Sequence, residues 1–144
     1  MALTVPAVGV GDDVLASWAA AAKAAIDDLY TVVTDTTIGT AGSGWVTQTG
    51  TSARTALAGK LITVVFVIQR TAALTATSGN VTDETMFTLD TAYRPADAVN
   101  MAIGTGTETG EAILTSAGLL QIRSLSDSSS AAANFRGTAT YLLP

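Results

Sequence analysis

The stretch Asp12–Asp35, DDVLASWAAAAKAAIDDLYTVVTD, constrains this chain most, because it is the one segment with sustained helical periodicity. Leu15, Trp18, Ala22, Ala25, Leu29 and Val32 alternate spacings of three and four, an unbroken a/d seam that Ile26 and Val33 widen. Lys23, Asp27, Asp28 and Thr31 fall off the seam. Asp12 sits where an N-cap belongs, and Asp13 adds negative charge to the first turn, where the helix dipole favours it. A helix of this length is marginal alone in water, so the seam must meet something. It can lie across its own domain or pack against copies of itself around an axis. The strict spacing favours copies, since a helix lying on a globular core shows a broader stripe. The alanine layers bury little area, so the following domain is expected to share the association.

Upstream, Met1–Gly11 (MALTVPAVGVG) is apolar and extended, and Pro6 opposes helix there. It reads as a docking arm spanning residues 1–11. It lacks the charged start of a secretory signal. Residues 36–44, TTIGTAGSG, read as a linker between the helix (12–35) and a body spanning residues 45–144.

From Trp45 the period changes to two. Leu61–Arg70, LITVVFVIQR, is the strongest strand, apolar at Ile62, Val64, Phe66 and Ile68 and mostly apolar at the odd positions too. Such a strand lies centrally in a sandwich or has a subunit interface at its back. Shorter strands are predicted at Trp45–Gln48, Ala53–Ala58, Thr85–Leu89, Val99–Thr105, Glu111–Thr115, Leu119–Leu125 and Phe135–Leu143. Thr75–Glu84, Thr105–Gly110 and Ser126–Ala133 read as loops, the first with the turn signal Ser78-Gly79-Asn80. The fold class is therefore mainly β: an N-terminal α-helix followed by a jelly-roll-like β-sandwich.

Composition narrows the chemistry. The chain has no His and no Cys, which removes zinc sites, disulfides, Ser-His-Asp triads and Cys-His dyads. A net charge of −5 with only 13% charged residues disfavours a nucleic-acid or acidic-membrane partner. The apolar run Leu61–Ile68 is too short to cross a bilayer as a helix. No spacing among Asp83, Glu84, Asp90, Asp97, Glu108, Glu111 and Asp127 selects a glycosidase pair or a dense calcium loop. Gly104-Thr105-Gly106 lacks the lysine and helix of a phosphate loop. No cofactor, metal site or catalytic residue is expected, and the chain does not read as an enzyme. The loops carry Ser, Thr, Asn and Asp, which suit sugar hydroxyls. Trp45 and Tyr93 could stack a sugar ring, although both sit at element boundaries where core packing competes.

Several motifs in order resemble a family of small phage virion appendage proteins, of the tail-fibre, head-fibre or minor tail type. They are the opening LTVPAVGVGDDVLASWAAAAKAAIDDL, Gly44-Trp45, MFTLDTAYRP at Met86–Pro95, SAGLLQIRS at Ser116–Ser124 and the terminal GTATYL at Gly137–Leu142. The resemblance implies a homotrimer with a coiled-coil axis at Leu15, Trp18, Ala22, Ala25, Leu29 and Val32. It implies docking to other virion proteins through Leu3, Val5, Pro6 and Val8, and a trimeric β knob presenting its loops to a host surface. Asn80, Asp83, Thr107, Glu108, Asp127 and Ser128 are the candidate receptor residues, with a glycan as ligand. Tyr93, Arg94 and Pro95 form the structural turn, with Arg94 placed to reach Asp90 or Asp97. The implied location is the virion, at the tail or the capsid surface. The alternative is a capsid decoration or head-fibre protein with a purely structural role. The chain departs from the family in having no long shaft.

Overall fold

The computed structural model describes residues 14–56 and 60–144. Helix α1 covers Val14–Tyr30. Ten strands follow among the described residues: β1 (Val33–Asp35), β2 (Gly39–Ala41), β3 (Trp45–Thr47), β4 (Ser52–Ala56), β5 (Leu61–Arg70), β6 (Asn80–Leu89), β7 (Val99–Gly104), β8 (Thr109–Leu114), β9 (Leu119–Leu125) and β10 (Asn134–Leu142). The body is mainly β, as expected.

The helix stops before Asp35. Thr31 donates its hydroxyl to Asp27 O (2.9 Å) and its N–H to Asp28 O (3.3 Å), which closes the last turn. The β-branched run Thr31-Val32-Val33 then favours extended backbone, and β1 pairs with β4. Val32 thus lies beyond the helix it was expected to serve. Trp18 and Leu29 are 51% and 44% exposed, so the helix does not bury its seam in its own sheet. Ala22 and Ala25 are half-buried. Leu3, Val5, Pro6 and Val8 lie outside the described residues.

The body is built around β5. Ile62, Val64, Phe66 and Ile68 point inward and are fully buried. One edge of β5 pairs with β10 from Leu61 to Gln69. The other edge is shared: β4 takes Leu61–Val65 and β3 takes Ile68–Arg70. Val67 falls between them, and Thr51 fills the gap. Its hydroxyl accepts from Val67 N–H (3.0 Å) and donates to Val67 O (2.8 Å). Gln48 N–H also donates to Val67 O (2.8 Å). At 3% exposure, Thr51 is a buried polar side chain that completes a backbone ladder.

From β10 the antiparallel order runs β7, β8, β9, β6, β2. The expected linker contains the device that brings the sheet round. Residues 39–41 pair with β6, and after a turn at Gly42–Gly44 residues 45–47 pair with β5. One short run thus links β6 to β5 across the curled sheet, and Ile38 just before it is fully buried. A jelly roll has two facing sheets; here one sheet curls around its own core, because the β2–β3 run joins edges that would otherwise separate.

The core is closed within the single chain. Phe66 meets Phe87 edge-on (5.8 Å between centroids), and Trp45 meets Phe135 the same way (5.2 Å). A register shift between Thr85 and Phe87 lets the consecutive residues Met86 and Phe87 both face inward. Strand β6 is longer than its apolar half, because Asn80–Glu84, expected as loop, pairs with β9.

Replacing Thr51 by Val keeps the shape and strips the hydroxyl. Val67 N–H is then left without its partner, and unfolding in urea should show a loss of about 1–3 kcal/mol, with Thr51→Ser retaining most of the stability.

Candidate functional site

Strand direction gives the body two poles. Strands β5, β7 and β9 end, and β6, β8 and β10 begin, at the same end. The connections at residues 71–79, 105–108 and 126–133 therefore share one pole. Helix α1 runs into β1, whose Val33 lies opposite Thr55 and, through β4, alongside Ile62 near the start of β5. The helix and the terminal residue Pro144, which accepts from Lys60 Nζ (3.2 Å), belong to the other pole.

The three loops hold one another. Leu74 and Ser129 exchange backbone hydrogen bonds (3.2 and 2.9 Å), and Ala76 N–H donates to Ser128 Oγ (3.0 Å). Ser126 N–H donates to Thr109 O (2.7 Å), and Thr109 N–H returns a bond to Ser126 Oγ (3.1 Å). Asp127 accepts from Ser128 N–H (2.7 Å), and Glu108 accepts from the Thr105 hydroxyl. Thr77 and Asn80 close a two-residue turn in which Ser78 and Gly79 both have positive φ (53° and 82°), the geometry that suits a twisted hairpin. Asn80, Thr107, Glu108, Asp127 and Ser128 thus gather at one end. Asp83 does not join them. It lies within β6 and pairs with Arg123 in an exposed contact that adds little stability.

A half-buried ion pair braces this pole. Arg70 donates Nε and Nη2 to the two oxygens of Glu84 (3.0 and 2.9 Å), and its guanidinium lies 5.4 Å from the centre of the Trp45 ring. Trp45 is accordingly a buried brace and no platform for a sugar. Among the described residues, the buried side-chain polar atoms without partners are Trp45 Nε1, Ser129 Oγ and Asn134 Oδ1, all near this end. The described loop residues present hydroxyls, amides and carboxylates but no exposed aromatic ring.

Tyr93 lies at the opposite pole. Its hydroxyl donates to the Asp35 carboxylate, and its carbonyl accepts from the Tyr141 hydroxyl. Arg94 turns from the expected carboxylates and donates Nε to Leu89 O (3.0 Å). Gly118, at φ 83°, passes so close that an added Cβ would stand 2.7 Å from Arg94 Nε, so only glycine fits beneath the guanidinium. Pro95 is buried. The corner ties β1, the residues between β6 and β7, the β8–β9 turn and β10 together, and Asp90 N–H adds a bond to Ile38 O (2.9 Å).

On the flank of the body, sequence reasoning weighed Glu111 only as one of several carboxylates and singled out none of its neighbours there. There a shallow depression of about 220 Å³ is lined by Asn100, Met101, Ala102 and Glu111. Among the described residues no group of three or more acidic side chains gathers as metal ligands, and no helix is long and apolar enough to cross a membrane.

No protein-family model and no curated protein matches the chain. Its fold is similar to that of the receptor binding protein (gp15) of Listeria phage PSA, with a TM-score of 0.50 and 18% identity, over 94% of this chain and 82% of that one. At that identity the likeness is one of fold.

The Tyr93 hydroxyl, then the Thr37 amide, hold the Asp35 carboxyl below its usual range, and the same bond followed by burial raises the Tyr93 phenol. A depressed carboxyl contributes stability that is present above its unfolded value and lost as pH falls through the folded one. Tyr93→Phe should therefore move the Asp35 titration, followed by carboxyl NMR, to higher pH and flatten the acid limb of the stability curve.

Proposed function

We propose that this chain is a structural virion protein of a bacteriophage, a short trimeric tail-fibre or tail-tip appendage whose β knob recognises the host surface, with a glycan as ligand. The observation that carries the reading is the opposition of the two poles. One offers a helix with an unspent apolar seam; the other offers three interlocked loops rich in hydroxyls and carboxylates. The fold likeness to a phage receptor binding protein supports the same assignment. In this reading the helices of three copies form a coiled coil, and residues 1–11 dock to other virion proteins. The knob projects its loops outward, and the protein performs no catalysis.

A second reading is a capsid decoration or head-fibre protein with a purely structural role. The lack of an exposed aromatic ring among the described loop residues favours it, because sugar faces commonly stack on such rings.

Two experiments test the proposal. Purified protein should bind host cells and block phage adsorption. Replacing Asn80, Thr107, Asp127 and Ser128 together by Ala should weaken binding about tenfold or more, a change of about 1.4 kcal/mol. Wild-type protein that binds no host surface, while its loss destabilises particles, selects the second reading. For assembly, Leu29→Lys places one charge per copy on the seam and should shift the mass by light scattering from trimer toward monomer. Leu29 is already part-exposed in the subunit, so the melting of the β body should change little.

A further inference from the structure

We infer that the outer face of β4, β5 and β10 is the body's share of the contact between copies of this chain. The inference rests on the self-association reading above and specifies where the body takes part in it.

An antiparallel sheet facing water alternates apolar and polar residues. Strand β5 breaks that rule on its outward side, where Leu61, Val65 and Val67 stand with Thr63. Outward on β10, Thr138 lies opposite Val65 and Leu142 lies opposite Leu61, with Leu142 65% exposed. Val46 on β3, 44% exposed, extends the patch beside Gln69.

The placement of apolar surface is one-sided. The exposed large hydrophobic residues among those described lie on α1, at Val32 and Val33 where the chain passes into β1, on β3 or on β10. Strands β6 to β9 carry none. The patch is also continuous with the helix, because the chain passes from α1 into β1, β1 pairs with β4, and β4 pairs with β5.

Charge points to the same occupant. Arg54 and Arg136 lie outward, opposite Thr63 and Val67, and neither has an ion pair among the described residues. No carboxylate occupies an outward position of these three strands, although the chain carries 12 acidic residues against 7 basic ones. Glu111 and Asp97 lie elsewhere on the body, without ion pairs among the described residues. A cationic, apolar face on an acidic protein is matched by the carboxylates of another copy.

Size explains why the face cannot act alone. Strands β5, β10 and β4 are ten, nine and five residues long. At about 3.4 Å per residue and about 4.8 Å per strand they make a patch of roughly 390 Å². That is short of the roughly 800 Å² per partner of a stable interface, so the face must act together with the seam.

The absence of cysteine from the chain makes the test direct. Single-cysteine variants of the full-length protein, Thr138→Cys, Leu142→Cys, Leu29→Cys and Thr82→Cys, are treated with a short bismaleimide and resolved on a denaturing gel. Thr138, Leu142 and Thr82 are all exposed, so the subunit fold tolerates each change. The expected result is cross-linked product from Thr138→Cys, Leu142→Cys and Leu29→Cys at several times the level from Thr82→Cys on β6. Cross-linking at Leu29 without cross-linking at Thr138 and Leu142 overturns the assignment of this face and leaves helix-driven association intact. No cross-linking at any position, with a monomeric mass by light scattering, overturns both.

Discussion

The pairing of β5 on both of its edges is the interaction on which the rest depends. Its inward residues Ile62, Val64, Phe66 and Ile68 form the middle of the core, and its backbone joins β10 on one side with β3 and β4 on the other. A central strand so fully used leaves few amides exposed, and the one break in its ladder is closed by the Thr51 hydroxyl. Because β3 continues a run that has just paired with β6, the far end of the sheet is brought back to β5. Curling encloses the aromatic cluster of Trp45, Phe66, Phe87 and Phe135 within a single chain. The association proposed above therefore involves the helix and the outer surface, and the hydrophobic interior does not depend on it.

A curled sheet with alternating strand directions has two distinct ends, and this chain gives them different chemistry. At one end Arg70 links Glu84 and Trp45 while backbone bonds join the loops, so their polar side chains are held on an ordered base. Prior ordering lowers the entropy lost when a partner binds. At the other end the corner at Tyr93 fastens β1 through Asp35 and β10 through Tyr141. Burial pushes the Tyr141 phenol well up, so it stays protonated and keeps donating to Tyr93 O across the ordinary pH range.

Much of this was legible in the residues, and the misses have physical causes. The two-residue period of Leu61–Ile68 exposed the central strand, and Leu119–Leu125 matched its strand at both ends because a glycine turn precedes it. Ser78-Gly79 announced a hairpin turn. The helix was read too far, since Val32 and Val33 continue its apolar spacing while their branched side chains favour the strand that pairs with Arg54 and Thr55. Thr82, Asp83 and Glu84 look like loop, yet pairing with β9 makes them strand, a tertiary effect that local preference cannot show. The Gly-rich stretch at residues 36–44 concealed the run that brings the sheet edges together, because only the partners on either side reveal it. The candidate loops were picked out by composition, but their gathering at one end follows from strand direction. The Asp35 bond to Tyr93 joins segments far apart in sequence and left no local signal.

In the proposed reading the helix end faces inward to a larger assembly and the loop end faces outward. Biotin placed on a single cysteine reads this on intact particles carrying the protein, using Ser128→Cys for the loop end and Ser116→Cys, in the exposed β8–β9 turn, for the helix end. Streptavidin should decorate particles labelled at position 128 and leave those labelled at position 116 bare. Decoration at position 116 with none at position 128 would contradict this reading.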